Sequence, residues 1–68
     1  MIDVLTIKVG DRLQLREGIV AVVLENMADG MWLQVKYLEV ANTLAEVGAI
    51  ELCHAQDIVK ILGSSEAS

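Results

Sequence analysis

Alternation of apolar and polar residues runs through most of the chain and predicts β-strands. The segment DRLQLR alternates Leu13 and Leu15 with Arg12, Gln14 and Arg16. A period of two places every second side chain on one face of a sheet, which is typical of a strand with one buried face. The same period occurs in LTIKVG, MWLQVKYL and AIELC, whereas GIVAVVLE is continuously apolar, as in a strand buried on both faces.

The period of two also predicts which face of each strand points into the core. In MWLQVKYL it predicts that Leu33 and Val35 point into the core and that Trp32 points outward. A register shifted by one residue would instead bury Trp32. In AIELC the apolar set consists of Ile50 and Leu52, and the pattern predicts that this set is the buried one.

Turn-forming residues separate the strand-like segments. Glycines beside acidic residues interrupt the pattern near residues 10 and 18, and Asp29 with Gly30 is typical of a hairpin loop. The segment ANTLAEVG predicts either one helical turn, capped by Asn42 or Thr43, or a loop. The segment AQD predicts a single 3₁₀ turn before the last strand, VKIL.

Together these elements predict an all-β fold, a five-stranded SH3-like barrel with a short 3₁₀ corner before the last strand. We assign the barrel to residues 1–62 and a disordered polar tail to residues 63–68. The segment VGDRLQLREGIVAVV resembles the opening of SH3-like and KOW-type barrels, and GAIELCHAQDIVKI resembles their ending.

The ending also resembles the type II dihydrofolate reductases, which are carried on plasmids and mobile gene cassettes. That resemblance implies a tetramer around a shared pore, which binds folate and a nicotinamide nucleotide. In that family a Val-Gln-Ile-Tyr strand lines the pore, and the matching stretch here is Ile50-Glu51-Leu52-Cys53. A carboxylate therefore stands at the Gln position and a thiol at the Tyr position, so the resemblance carries over no catalytic residue.

Composition adds an expectation of self-association. The chain has 68 residues, of which 54% are hydrophobic and only 3% aromatic. A domain this small buries only about 60% of the surface of its unfolded chain. Its aliphatic content exceeds what one small barrel can hide, so we expect a homo-oligomer, either a dimer or a tetramer.

The net charge and the cysteine content limit the kinds of partner and the cellular compartment that we expect. A net charge of −5 disfavours nucleic acid and anionic lipid, because both are attracted by positive potential. The longest apolar run, at residues 19–24, is far too short to span a bilayer, and no signal-peptide pattern occurs. The single cysteine suits a reducing compartment, so we expect a cytoplasmic protein.

The adjacent Cys53 and His54 are the obvious candidates for chemistry. Neighbouring residues on a strand point to opposite faces, so a thiolate and an imidazole placed this way pair poorly. A zinc site needs three or four ligands, and the chain offers only this pair and scattered acids. We therefore expect a small space-filling cysteine and a corner histidine, with no catalytic residue, no metal and no cofactor.

A binding surface is the stronger expectation. Trp32 pointing outward beside Gln34 and Lys36 is suited to an interface, because exposed tryptophan often marks one. Arg12 and Arg16 also occupy predicted polar strand positions, so this face is either a weakly basic platform or a solvated face with ion pairs such as Arg16 with Glu25.

The function expected from these features is a non-catalytic module that self-associates and binds a protein or a small molecule. Two alternatives remain open at this point. One is an oligomeric enzyme of the type II dihydrofolate reductase kind, and the other is a KOW-type module associated with nucleic acid. Fold alone does not decide among the three.

Overall fold

Five antiparallel strands and three short 3₁₀ turns form the part of the chain that the computed structural model describes, residues 3–41 and 46–64. The strands are β1 (Asp11–Leu15), β2 (Ile19–Asn26), β3 (Trp32–Glu39), β4 (Ile50–His54) and β5 (Ile58–Ser64). The 3₁₀ turns are η1 (Val4–Thr6), η2 (Arg16–Gly18) and η3 (Ala55–Asp57).

The strands form one sheet in the order β4-β3-β2-β1-β5. The five antiparallel strands, with η3 at the corner before the last strand, confirm the predicted all-β fold class. Among the described residues the sheet does not close on itself, because β4 and β5 remain its two edges. Within the described ranges, no helix has the length and apolar character needed to cross a membrane.

One face of the curved sheet holds the core. Alternate residues of the strands point to it, as the period of two requires. Leu13, Ala21, Leu33 and Val35 are fully inaccessible to solvent. The other core residues are Val4, Ile7, Leu15, Ile19, Val23, Cys53 and Ile58. Val20 and Val22, on the other face of β2, are only partly buried, so this strand is not covered equally on both faces.

The first strand-like segment, LTIKVG, is not a strand. Its first two residues belong to η1, and the Asp3 carboxylate caps the start of η1 by accepting a hydrogen bond from the Leu5 N–H at 3.1 Å. Val4 and Ile7 enter the core, whereas Leu5 is 62% exposed. The Asn26 amide donates to the carbonyls of Val4 and Ile7, both at 2.9 Å, and thereby attaches this segment to β2. The alternation of the sequence is therefore overridden by a side chain distant in the sequence.

The face of β4 is also the reverse of the sequence expectation. Cys53 is buried, whereas Ile50 and Leu52 are 57% and 59% exposed. The cause is the pairing with β3, which sets Cys53 opposite the buried Leu33. Because a strand has a period of two, fixing one residue on the core side places its neighbours on the other side.

Two further expectations concern the segment before β4 and the end of β5. The choice between a helical turn and a loop at Asn42 and Thr43 lies outside the described residues, and the chain turns at Val47 and Gly48 before β4. Strand β5 runs to Ser64, so it includes two residues that the sequence assigned to the tail. Residues 65–68 lie outside the described part.

Candidate interaction surface

The outer face of β3, the face away from the core, carries three of the predicted site residues. Because Leu33 and Val35 are fully buried, Trp32, Gln34 and Lys36 alternate to the other side. Trp32 is 38% exposed. The register that would bury Trp32 in the core is therefore wrong, and the outward orientation is correct.

Strand β4 extends this face with two aliphatic side chains and an imidazole. Its register with β3 sets Ile50 beside Lys36, Leu52 beside Gln34 and His54 beside Trp32. The Trp32 and His54 rings meet edge to face, with centroids 4.9 Å apart and an interplanar angle of 87°. We call the surface formed by Trp32, Gln34, Ile50, Leu52 and His54 the β3–β4 patch. Its exposed apolar side chains are the feature that a solvated strand face would lack.

The hairpin loop before β3 fixes the backbone of Trp32. One carboxylate oxygen of Asp29 accepts hydrogen bonds from the N–H groups of Met31 and Trp32, at 2.8 and 2.9 Å. The bond from Trp32 and then the bond from Met31 lower the pKa of this exposed carboxyl. Gly30, at a φ of +81°, supplies the left-handed conformation that lets the chain return into β3.

The predicted cations do not form one platform. Arg12 on β1 and Lys36 on β3 both lie opposite Val22 of the intervening strand, so two strand spacings, about 10 Å, separate them. Arg16 lies on η2, where its Nε donates to the Gln56 carbonyl at 3.2 Å, and not opposite Glu25. The outer face therefore brings together Trp32, Gln34 and Lys36, places Arg12 two strands away, and leaves Arg16 elsewhere.

The pair of Cys53 and His54 is arranged for structure. Burial, and secondarily the Asp57 carboxylate, raise the pKa of the Cys53 thiol to about 11. The thiol is directed to the His54 carbonyl, at 3.5 Å, and not to its ring. The His54 Nδ1 accepts a hydrogen bond from the Gln56 N–H at 3.1 Å and so caps η3. The two side chains therefore serve the core and the corner separately.

The buried thiol leads to a prediction on reactivity. Raising the pKa from 9.0 to about 11 lowers the thiolate fraction at pH 8 about 100-fold, so iodoacetamide should alkylate native Cys53 at least that much more slowly than the chain unfolded in urea. The rate, followed by mass spectrometry, checks this expectation. Equal rates would contradict it.

The free energy of unfolding should also fall as the pH rises from the thiol's ordinary pKa through about 11, because the unfolded thiol ionises first.

A cleft of about 290 Å³ lies between β4 and the η2 and η3 turns. Its polar lining includes Arg16, Glu17, Tyr37 and Asp57. The pKa of the Tyr37 hydroxyl is raised, first by burial and then by negative groups of which Glu51 is the foremost. The carboxylates of Glu17 and Asp57 and the guanidinium of Arg16 therefore all lie at the cleft. Within residues 3–41 and 46–64, no three His, Cys, Asp or Glu side chains are grouped to hold a metal ion.

The sequence pattern did not identify Ile50 and Leu52 as surface residues. The available signal was Cys53, because cysteine is among the residue types most often buried and it alternates with both. Comparisons with protein families, with characterised proteins and with solved structures find no match to this chain.

Proposed function

We propose that this protein is a non-catalytic interaction module that self-associates through the outer face of β3 and β4. The observation that carries the proposal is the β3–β4 patch, where Trp32, Ile50 and Leu52 are exposed on one face. Contiguous exposed apolar side chains are a feature of interaction sites. A small-molecule or protein ligand of such an assembly would bind near the same interface.

The state of the chemically reactive groups supports a non-catalytic role. A nucleophilic cysteine needs a lowered pKa and a base within hydrogen-bond reach, whereas the pKa of Cys53 is raised. The His54 Nδ1 is engaged with a backbone N–H. Cys53 and His54 therefore stabilise the fold. The exposed apolar side chains of the β3–β4 patch do not pack in the core and remain available for binding.

The two alternative functions have less support. A reductase with a shared pore would bind anionic folate and nucleotide, and the carboxylates near Tyr37 would repel such ligands from the cleft. A nucleic-acid module needs a continuous basic surface, and Val22 separates Arg12 from Lys36. Both alternatives predict binding that can be measured directly.

Replacement of Trp32 by alanine tests the proposal. We expect the wild-type mass in solution, measured by sedimentation from about 1 µM to about 1 mM, to rise with concentration. Trp32→Ala should weaken this association at least about tenfold, because tryptophan is enriched among residues that dominate interfaces. The melting curve of the variant, followed by circular dichroism, should remain cooperative.

The matched control is Met31→Ala, which removes a neighbouring side chain of similar exposure outside the β3–β4 patch. Met31 lines a hollow of about 620 Å³ that has only His54 in common with the patch. It should associate like the wild type. A wild type that stays monomeric would contradict self-association. Binding of folate with a nicotinamide nucleotide would instead support the enzyme, and salt-sensitive binding of an RNA oligonucleotide would support the nucleic-acid module.

A further inference from the structure

Strand β4 is an edge strand with little protection against pairing. It pairs with β3 over five residues in an unbroken register, and no described strand lies on its other side. The other edge, β5, pairs with β1 through two irregularities. Edge strands are usually protected by bulges, prolines or charges, whereas β4 contains only one charged residue, Glu51. The uninterrupted edge is therefore the one suited to accept another strand.

The direction of the free peptide groups on β4 follows from two hydrogen bonds at its ends. The Ala49 carbonyl accepts from the Tyr37 N–H at 2.9 Å, and the Ala55 N–H donates to the Met31 carbonyl at 2.8 Å. The Ala49 carbonyl and the Ala55 N–H are thus directed to β3. In an antiparallel ladder this direction alternates, so the peptide groups of Ile50, Leu52 and His54 point to the open edge.

We propose that β4 pairs antiparallel with β4 of a second copy of this chain, about a twofold axis beside Leu52. This inference rests on the proposed function, from which it takes self-association. Two identical strands related by a twofold axis place one residue opposite itself. With Leu52 at the axis, Ile50 lies opposite His54 of the second copy, and every free peptide group of the strand finds a partner.

Other symmetric registers are less favourable. An axis at Glu51 would set two carboxylates directly opposite each other, and like charges in that position destabilise a strand pair. It would also place at the centre a residue whose peptide groups already face β3. An axis at Ile50 or His54 would pair the end of one strand with the end of the other and leave most of β4 unpaired. Only the Leu52 register uses all five residues.

The side chains available determine how strong the pairing is. Trp32, Ile50 and Leu52 are 38%, 57% and 59% exposed, so each offers on the order of 100 Å² of surface. Two copies together offer roughly 600 Å² of apolar area. A standard interface buries about 1,200–2,000 Å² in total. In homodimers about 65% of the interface area is apolar. The pairing is therefore smaller than a permanent interface, and we expect a dimer that dissociates on dilution.

The test uses charged variants at the axis and sedimentation of the full chain. Leu52→Lys places two ammonium groups opposite each other and should weaken dimerisation more than about tenfold. The matched control is Val59→Lys on the other edge strand, β5, where the side chain is 56% exposed. It should dimerise like the wild type. Both variants should keep the wild-type circular dichroism spectrum, because both positions are exposed.

A mixing experiment tests the register itself. Leu52→Lys and Leu52→Glu should each be monomeric, and an equimolar mixture should form dimers, because residue 52 meets residue 52 only about this axis. A wild type that is monomeric throughout overturns both self-association and this inference. A wild-type dimer that Leu52→Lys weakens no more than Val59→Lys leaves self-association standing and overturns β4 pairing. A mixture that stays monomeric overturns the Leu52 register.

A measurement on the unaltered chain gives an independent result. Amide hydrogen exchange of Ile50, Leu52 and His54 should slow as concentration rises, because their N–H groups gain acceptors in the dimer. The Glu51 and Cys53 amides, which face β3, should show a much smaller change. Equal exchange of the first three amides at low and high concentration, where sedimentation shows dimers, would overturn the proposal.

Discussion

Replacing Leu33 with aspartate is expected to unfold the protein at 25 °C. Leu33 has no solvent exposure and lies on an interior strand of the sheet, between Asn26 of β2 and Cys53 of β4. A carboxylate at this position would lose its hydration without gaining a partner, and such changes cost more than about 4 kcal/mol. A domain of this length has a total stability of roughly 3–10 kcal/mol. Circular dichroism with thermal melting measures the loss.

The matched control for this change is Gln34→Asp on the same strand. Gln34 lies on the outer face and is partly exposed, so the new carboxylate keeps much of its hydration. We expect its free energy of unfolding to lie within about 1 kcal/mol of the wild type. If both variants melted alike, the assignment of the two faces of β3 would be reversed, and Trp32 would belong to the core.

Replacing Gly18 with alanine is expected to have the second largest effect. Gly18 has a φ of +73°, and a Cβ at this position would lie 2.8 Å from the Cβ of Ala41. The left-handed conformation costs an L-residue about 1–2 kcal/mol. The clash with Ala41 adds to that cost, for a total of about 2–4 kcal/mol. For a domain of this size, the melting temperature should fall by roughly 10–25 °C.

Two further variants separate these contributions. Gly10→Ala shares the positive φ, at +94°, but its Cβ would meet no heavy atom within 4 Å, so it should cost only the conformational part. In the double variant of Gly18→Ala with Ala41→Gly, the clash is removed, and the coupling free energy should be favourable. Equal melting temperatures for Gly10→Ala and Gly18→Ala would show that contact with Ala41 contributes nothing.

The neighbouring Glu17 explains why the tight link between β1 and β2 is not regular. Glu17 has a φ of +65°, so two consecutive residues of η2 adopt the left-handed conformation. The turn reverses the chain quickly enough for Leu15 to pair with Ile19 across the two strands. Strain of this kind is retained where the surrounding structure fixes the backbone.

The reversed face of β4 is the finding that most changes the functional interpretation. The sequence pattern predicted that Ile50 and Leu52 are buried in the core, and so it did not show their aliphatic surface as exposed. Their exposure beside Trp32 places part of that surplus on one outer face, next to an open strand edge. Other aliphatic side chains, such as Val9 and Val47, are exposed elsewhere on the molecule. Ile50 and Leu52 therefore belong both to the surplus aliphatic residues that predict an oligomer and to the candidate binding surface.

The sequence by itself determined the elements that depend on local chemistry. Period-two alternation predicted β1, β3 and β4, and a continuous apolar run predicted β2. The Asp29 and Gly30 pair predicted the hairpin between β2 and β3, and AQD predicted the 3₁₀ corner. The same alternation predicted the outward orientation of Trp32, because Leu33 and Val35 are the large apolar residues of that strand. These features need only neighbours along the chain, so the order of residues suffices.

Tertiary structure decided the features that depend on residues far apart in the sequence. The carbonyls that Asn26 binds make the first segment a 3₁₀ turn and a loop, although its pattern is that of a strand. Pairing of Cys53 with Leu33 turns β4 over, because an edge strand takes its register from its one neighbour. The alternating pattern of β4 predicts the opposite face, with Ile50 and Leu52 buried. Only the partner strand selects which face is buried, and here that choice exposes Ile50 and Leu52.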